Sequence, residues 1–223
     1  MCVNFRSPDR ADVEAILAED VQDDAYDSRE VWPRRLAPIV RRDGRTGKRA
    51  LELATFGLLP HWAKEPKIAH STMNARSETV ASLASFRDAW KRGNFCLVPM
   101  QCYYEPNWET GKAVRWSIGR DDGAFAVAGL WSWWPGRGEH QGVLSFTLLT
   151  ANCDGHPVLS RFHGPEDEKR SLIHVRRDEY DAWLDASPEL ARAMIELPDA
   201  ERLVVAASPT PPRTKKAQLP ADA

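Results

Sequence analysis

Cys2 stands directly behind the initiator methionine of this 223-residue chain. Chain ends are seldom buried enough to need a core cysteine, but they are the one place where a cysteine carries two nucleophiles. Trimming of Met1 leaves a thiol and a free α-amine on the same Cα. Either can attack a carbonyl, and the amine can also serve the thiol as a base in the manner of an N-terminal-nucleophile hydrolase.

Four further stretches hold reactive side chains that packing alone does not explain. In MNARSET (73–79) Asn74, Arg76 and Glu78 alternate with Ala75, Ser77 and Thr79, so an extended chain puts an amide, a guanidinium and a carboxylate on one face. That trio can orient a substrate and hold a phosphate; the same residues also suit a solvated strand or a helix cap. Glu105 closes the apolar run CLVPMQCYYEP, where burial would raise its pKa and fit it for general acid work near neutrality. A strand-end glutamate facing water is the alternative. His163 lies in the polar run SRFHGPEDEKR (160–170) beside Arg161 and can be a second proton carrier, with His156 as its rival. Trp62, in FGLLPHW (56–62), is either a core residue or a rim aromatic that stacks on a base.

These residues need a scaffold, and the sequence outlines one. ADVEAILAE (11–19) has apolar positions at helical spacing. VWPRRLAPIVRR, with two prolines, reads as extended or turning chain, and DGRTGKRA as a hairpin turn leading into the strand ALELATF. ASLASFRDAWKRG reads as a helix ended by Gly93, and NFCLVPMQCYYEP as one buried strand stopped by Pro106. KAVRWSIG, AFAVAGLWSWW, VLSFTLLTANC and RSLIHV follow as strands, then DEYDAWLDAS and PELARAMIEL as helices. The expected fold is α+β: one domain over residues 1–207 with a mainly antiparallel, barrel-like β core and peripheral helices. SPTPPRTKKAQLPADA (208–223) is a Pro-rich basic tail whose composition predicts disorder.

Composition narrows the chemistry. The net charge is −2 and the pI about 6.3, so any nucleic-acid contact must come from a local basic face. The four cysteines, Cys2, Cys96, Cys102 and Cys153, have no metal-ligand spacing, and no cofactor is expected. Without a signal-type apolar segment or a long apolar run the chain reads as cytoplasmic with reduced thiols and no membrane partner. A monomer is the default. Nine tryptophans supply aromatic faces for the core or for stacking on bases.

Cys2, then F-G-L-L-P-H-W, N-A-R-S-E-T, the Glu105 strand end and the late His163 before a basic strand run in an order that resembles the SRAP family, the SOS response-associated peptidases or abasic-site processing proteins, over roughly residues 2–175. L-A-P at 36–38 is similar to that family's A-P segment. The resemblance implies single-stranded DNA containing abasic sites as the partner, and association with the nucleoid while bound to damaged DNA. It also implies a thiazolidine crosslink through Cys2, with Asn74, Glu105 and His163 as the other catalytic residues. Arg76, Trp62, Arg161 and Asn4 are the implied DNA contacts. An α-amine near pKa 7.8 is about 14 per cent neutral at pH 7 against about 0.1 per cent for a lysine, which suits Cys2 to a sugar aldehyde. Three departures mark this chain. C-V-N-F replaces C-G-R-F, C-Y-Y-E-P replaces G-W-(F/Y)-E-W, and H-G-P-E-D-E-K-R-S-L lengthens the loop after the histidine with acidic residues.

Overall fold

The computed structural model describes residues 4–17 and 29–209; Cys2, the end of the first predicted helix and nearly all of the C-terminal tail lie outside the described residues. Among the described residues thirteen strands dominate. They are β1 (Phe5–Arg6), β2 (Glu30–Val31), β3 (Leu36–Arg42), β4 (Arg49–Phe56), β5 (Asn74–Arg76), β6 (Phe95–Met100), β7 (Cys102–Asn107), β8 (Val114–Arg120), β9 (Phe125–Trp134), β10 (Val143–Asn152), β11 (Arg170–Leu172), β12 (His174–Val175) and β13 (Leu203–Ala207). Four short helices accompany them: α1 (Arg10–Leu17), α2 (Arg87–Lys91), α3 (Tyr180–Leu184) and α4 (Pro188–Ala193). The architecture is the α+β, barrel-like one that the strand-rich sequence predicts.

Closure comes from β9, which pairs antiparallel with both β6 and β10, so that β10, β4, β3, β6 and β9 form a ring. Among the described strands, the parallel pairings are those of β10 with β4 and with the short β5. A second sheet has the order β13-β8-β7-β1-β2. Alternation along the ring strands divides their side chains between two cores. Val40, Leu97, Ala128 and Leu149 join the apolar faces of the helices, with Trp90 and Trp183. Ile39, Val98, Val127 and Leu148 pack with Phe5, Tyr103 and Phe162 on the side of the second sheet.

Several predicted elements are shorter or divided. The run 94–106 is two strands: at Gln101 the chain leaves the ring and enters the second sheet, where the Gln101 N–H donates to the Arg6 carbonyl at 2.8 Å. Pro106 lies inside β7 instead of ending it. RSLIHV is likewise split, β11 pairing with β10 and β12 with β9, because Ile173 crosses between them with bonds to Leu149 and Ala128. The helix expected from 81 begins only at Arg87. Before it Ser82 turns its hydroxyl onto the Thr79 carbonyl at 3.0 Å, the local competition that makes serine a poor helix interior. Gly93 ends that helix at φ +66°, with the Asn94 N–H closing on the Ala89 carbonyl as a glycine stop requires. The last helix stops at Ala193, short of the predicted Leu197. No described helix is long and apolar enough to cross a membrane.

Candidate functional site

β7 carries Glu105 into the interior. On one side β7 pairs with β1, Phe5 opposite Tyr103, and the Tyr104 N–H donates to the Asn4 carbonyl at 3.2 Å. On the other side Glu105 stands opposite Trp116 of β8. Only 3 % of Glu105 remains exposed, and burial pushes its carboxyl up to about 7.

His163 reaches the same point from a distant segment. A short turn at Leu159–Arg161 delivers Phe162 into the core, where a single bridge ties it to Asn107. The His163 N–H then donates to the Pro106 carbonyl at 2.9 Å. The residue sits at φ +75°, a left-handed conformation that costs an L side chain about 1–2 kcal/mol. Strain of this kind is held by its surroundings and clusters at functional positions. The result is Nε2 of His163 at 3.5 Å from Oε2 of Glu105. Burial pushes the imidazole down to about 4, so at neutral pH a neutral ring faces a carboxyl that is close to half protonated. Such a pair can give and take a proton near pH 7.

β5 positions the next two residues. Asn74 pairs with Leu148 and Arg76 with Thr150; both lie on one face, while Ala75 is buried on the other. The predicted alternation stops there. From Ser77 the chain turns, the Thr79 and Val80 N–H groups closing on the Arg76 carbonyl, so Glu78 leaves the strand face. It bonds Arg170 at 2.8 Å and does not hold Arg76 directly. Arg76 instead meets Glu168 at 2.8 Å, and Glu168 meets Arg170 at 2.5 Å.

The remaining predicted residues are engaged elsewhere. Trp62 is 41 % exposed, its indole N–H donating to the Ala84 carbonyl at 3.2 Å, and it lines a surface cleft of about 580 Å³ with Lys64, Lys67 and Ile68. Arg161 forms a two-pronged pair with Glu109 at 2.9 and 2.8 Å, which holds that carboxyl down to about 2. Asn4 is buried, and its amide reaches Glu30 at 3.5 Å. Glu30 also takes Arg115 at 2.7 Å, and the Arg115 guanidinium lies 3.4 Å over the Tyr104 ring. The structure thus joins Glu105 to His163, and Arg76 to the loop that follows His163.

Sequence reading of single residues missed the role of Glu168 and Arg170. Its signal was present in the run E-D-E-K-R at 166–170, three acidic residues followed by two basic ones, in which Glu168 pairs with both Arg170 and Arg76 once folded. Among the described residues no group of three or more His, Cys, Asp or Glu side chains is gathered as a metal would require.

Comparison with known proteins gives concordant results. The sequence profile of a family described as SOS response associated peptidase (SRAP) matches residues 1–208. The abasic site processing protein YoaM of Bacillus subtilis is 26 % identical over 175 residues, covering 74 % of this chain and 72 % of that protein. YoqW of the same organism, also described as an abasic site processing protein, is 30 % identical over 154 residues, covering 66 % of this chain and 63 % of its own length. A crystal structure of a protein from Bordetella bronchiseptica superposes with a TM-score of 0.83 at 29 % identity, covering 94 % of this chain and all of that one. One from Bacteroides thetaiotaomicron gives 0.72 at 18 % identity, covering 91 % of each chain, a likeness of fold.

Proposed function

The chain belongs to the SOS response associated peptidase (SRAP) family, and from that membership and the geometry around Glu105 we propose that it processes abasic sites in single-stranded DNA, capturing the sugar covalently through Cys2 once Met1 is removed. The observation that carries this reading is the buried Glu105–His163 pair beside the strand with which the chain begins. Asn4 is bonded to the residue before Glu105, and only Val3 separates Cys2 from Asn4, two peptide steps that span at most about 7 Å. That short tether supports a Cys2 that acts together with Glu105.

The chemistry proceeds in balanced steps. The neutral α-amine of Cys2 attacks the aldehyde carbon of the ring-opened deoxyribose to give a carbinolamine. Glu105, protonated in part at neutral pH, delivers a proton to the departing hydroxyl; water leaves as the iminium forms, and the nitrogen returns a proton to the Glu105 carboxylate to give the imine. The thiol then adds to the imine carbon, its proton passing to the nitrogen, and a five-membered thiazolidine closes. Both nucleophiles belong to one residue, so ring closure gains the effective molarity of a positioned group. His163, neutral at working pH, exchanges protons with the sugar oxygen during ring opening. Asn74 holds the amine, and Arg76, on the same strand face, takes a flanking phosphate. Trp62 offers its indole face to a base beside its cleft. We assign the backbone contact to Arg76, which shares a strand face with Asn74 and is half exposed, ahead of Arg161, whose guanidinium is held by two prongs to Glu109, and of Asn4, whose amide is turned inward to Glu30.

The test is intact mass before and after incubation with an oligonucleotide bearing one abasic site. Loss of Met1 and a shift by one oligonucleotide, absent in Cys2→Ala, is the expected result. A processed protein that does not shift but turns over a peptide or glutamine amide would make it the thiol amidohydrolase that the family's description also allows.

A further inference from the structure

The loop between His163 and Arg170 folds back on itself. Asp167 accepts from the Gly164 N–H at 3.1 Å and returns its own N–H to the Gly164 carbonyl at 3.0 Å, and the Lys169 ammonium caps the same carbonyl. This fold brings Glu168 against β5. Its two carboxylate oxygens then face different arginines, Oε2 toward Arg76 at 2.8 Å and Oε1 toward Arg170 at 2.5 Å.

The two arginines differ in freedom. Arg170 is 3 % exposed, with its guanidinium fixed by the Thr150 hydroxyl at 3.2 Å, the Thr150 carbonyl at 2.8 Å and Glu78 at 2.8 Å. A buried guanidinium requires anionic partners, and breaking such a pair is costly. Glu168 is therefore anchored from its inner side, and Arg170 holds its carboxyl below the usual range. Arg76 is half exposed. At 2.8 Å the anchored carboxylate stands where a phosphate oxygen bonded to Arg76 would stand.

We propose that Glu168 is a built-in stand-in for a backbone phosphate at Arg76, so that an incoming strand must exchange with an anion the protein already holds. The inference rests on the assignment of Arg76 to a phosphate. Its consequence is selectivity. Reversible association with every strand is weakened by the same factor, whereas a strand that carries an aldehyde is retained by a covalent bond. Intact single strands are released and abasic ones are kept.

The experiment measures equilibrium binding of the full chain to a single-stranded oligonucleotide containing a tetrahydrofuran abasic analogue. That analogue has no aldehyde, so binding stays reversible. Glu168→Gln keeps the shape of the residue and removes its charge; Glu166→Gln removes an equal charge from an exposed position of the same loop. Thermal melts establish that each variant is folded, and Arg76→Gln completes a double-mutant cycle with Glu168→Gln. Glu168→Gln is expected to bind about fivefold tighter, the upper range for an exposed pair. Its salt dependence should steepen by about 0.7 in logarithmic slope, one additional phosphate contact on a single strand. Glu166→Gln should bind much as wild type does, and the gain should vanish when Arg76 is already Gln. Equal gains from both loop variants, or a gain that survives without Arg76, would overturn the proposal. If Arg76→Gln weakens binding while Glu168→Gln leaves it unchanged, the stand-in is wrong and the phosphate assignment holds. If Arg76→Gln itself changes nothing, the phosphate assignment is what fails.

Discussion

Glu105 and His163 have exchanged the protonation habits they would have in water. The carboxyl titrates at about 7 and the imidazole at about 4, so the glutamate is the acid and the histidine the neutral partner. Two predictions follow the sign of these shifts. Adduct formation needs the amine deprotonated, a fraction that rises through pH 7.7–8.0, and Glu105 protonated, a fraction that falls above pH 7. The wild-type rate against pH should be bell-shaped. Glu105→Gln should be about 10²-fold slower and keep only the rising limb, as read by adduct formation from pH 5.5 to 9. Stability supplies an independent reading. The folded state holds the Glu105 proton between about 4.5 and 7 while the unfolded chain has released it, so stability is lost as pH rises through that window. Glu105→Gln should therefore match wild type near pH 5 and exceed it at pH 8, by an amount on the order of 3 kcal/mol. The types and numbers of these two residues were legible in the sequence. Their contact was not, because 58 positions separate them and a single bridge between Asn107 and Phe162 brings them together. Glu78 shows the opposite limit: alternation in NARSET put it on the site face, but the turn closing on the Arg76 carbonyl sends it to Arg170.

Strands and turns carry the site at the next scale. Element types were legible wherever apolar runs were long, as in β9 and β10. Divisions were not, because a mostly apolar run such as 95–105 is equally consistent with one strand or with two in different sheets. What divides it is a bond from Gln101 to Arg6, a partner 95 residues away. The left-handed turn at His163 makes a further prediction. His163→Gly and His163→Ala both remove the imidazole, but only glycine adopts φ +75° without cost, so the glycine variant should be more stable by about 0.5–1 kcal/mol despite its more flexible unfolded chain. Urea denaturation of the two variants measures the difference. At Gly57, where the strand β4 turns toward Trp62, φ is +107° and an added Cβ would stand 2.3 Å from the Ala69 carbonyl oxygen. Gly57→Ala combines backbone strain with a backbone clash. It should cost more than about 2 kcal/mol, read as a lowered midpoint in the same assay.

Over the described residues, the closed ring is flanked by helices on one core and by the second sheet on the other, and the first and last described strands, β1 and β13, both belong to that second sheet. β13 covers the outer side of β8 along five paired residues, and the Ser208 N–H closes on Arg115, which in turn braces Tyr104 beside Glu105. We propose that the folded unit ends there. Removing 210–223 should leave the melting temperature unchanged within about 1 °C. Removing 203–223 should lower it by several degrees and slow adduct formation, because Arg115 loses its backing. The strand β13 itself was hidden in LVVAA, five residues with no distinguishing pattern.

The position of β1 also sets a timetable. Apart from the two-residue β2, its partner is β7, which lies about a hundred residues further along. At a synthesis rate of roughly 5–20 residues per second, the first strand emerges from the ribosome several seconds before anything exists for it to pair with. During that interval β1 has no β7 to pair with, and the proposed removal of Met1 needs no opening of the second sheet. On the proposed reading, the step that would free the Cys2 amine has its opportunity on the nascent chain, ahead of the pocket that would use it.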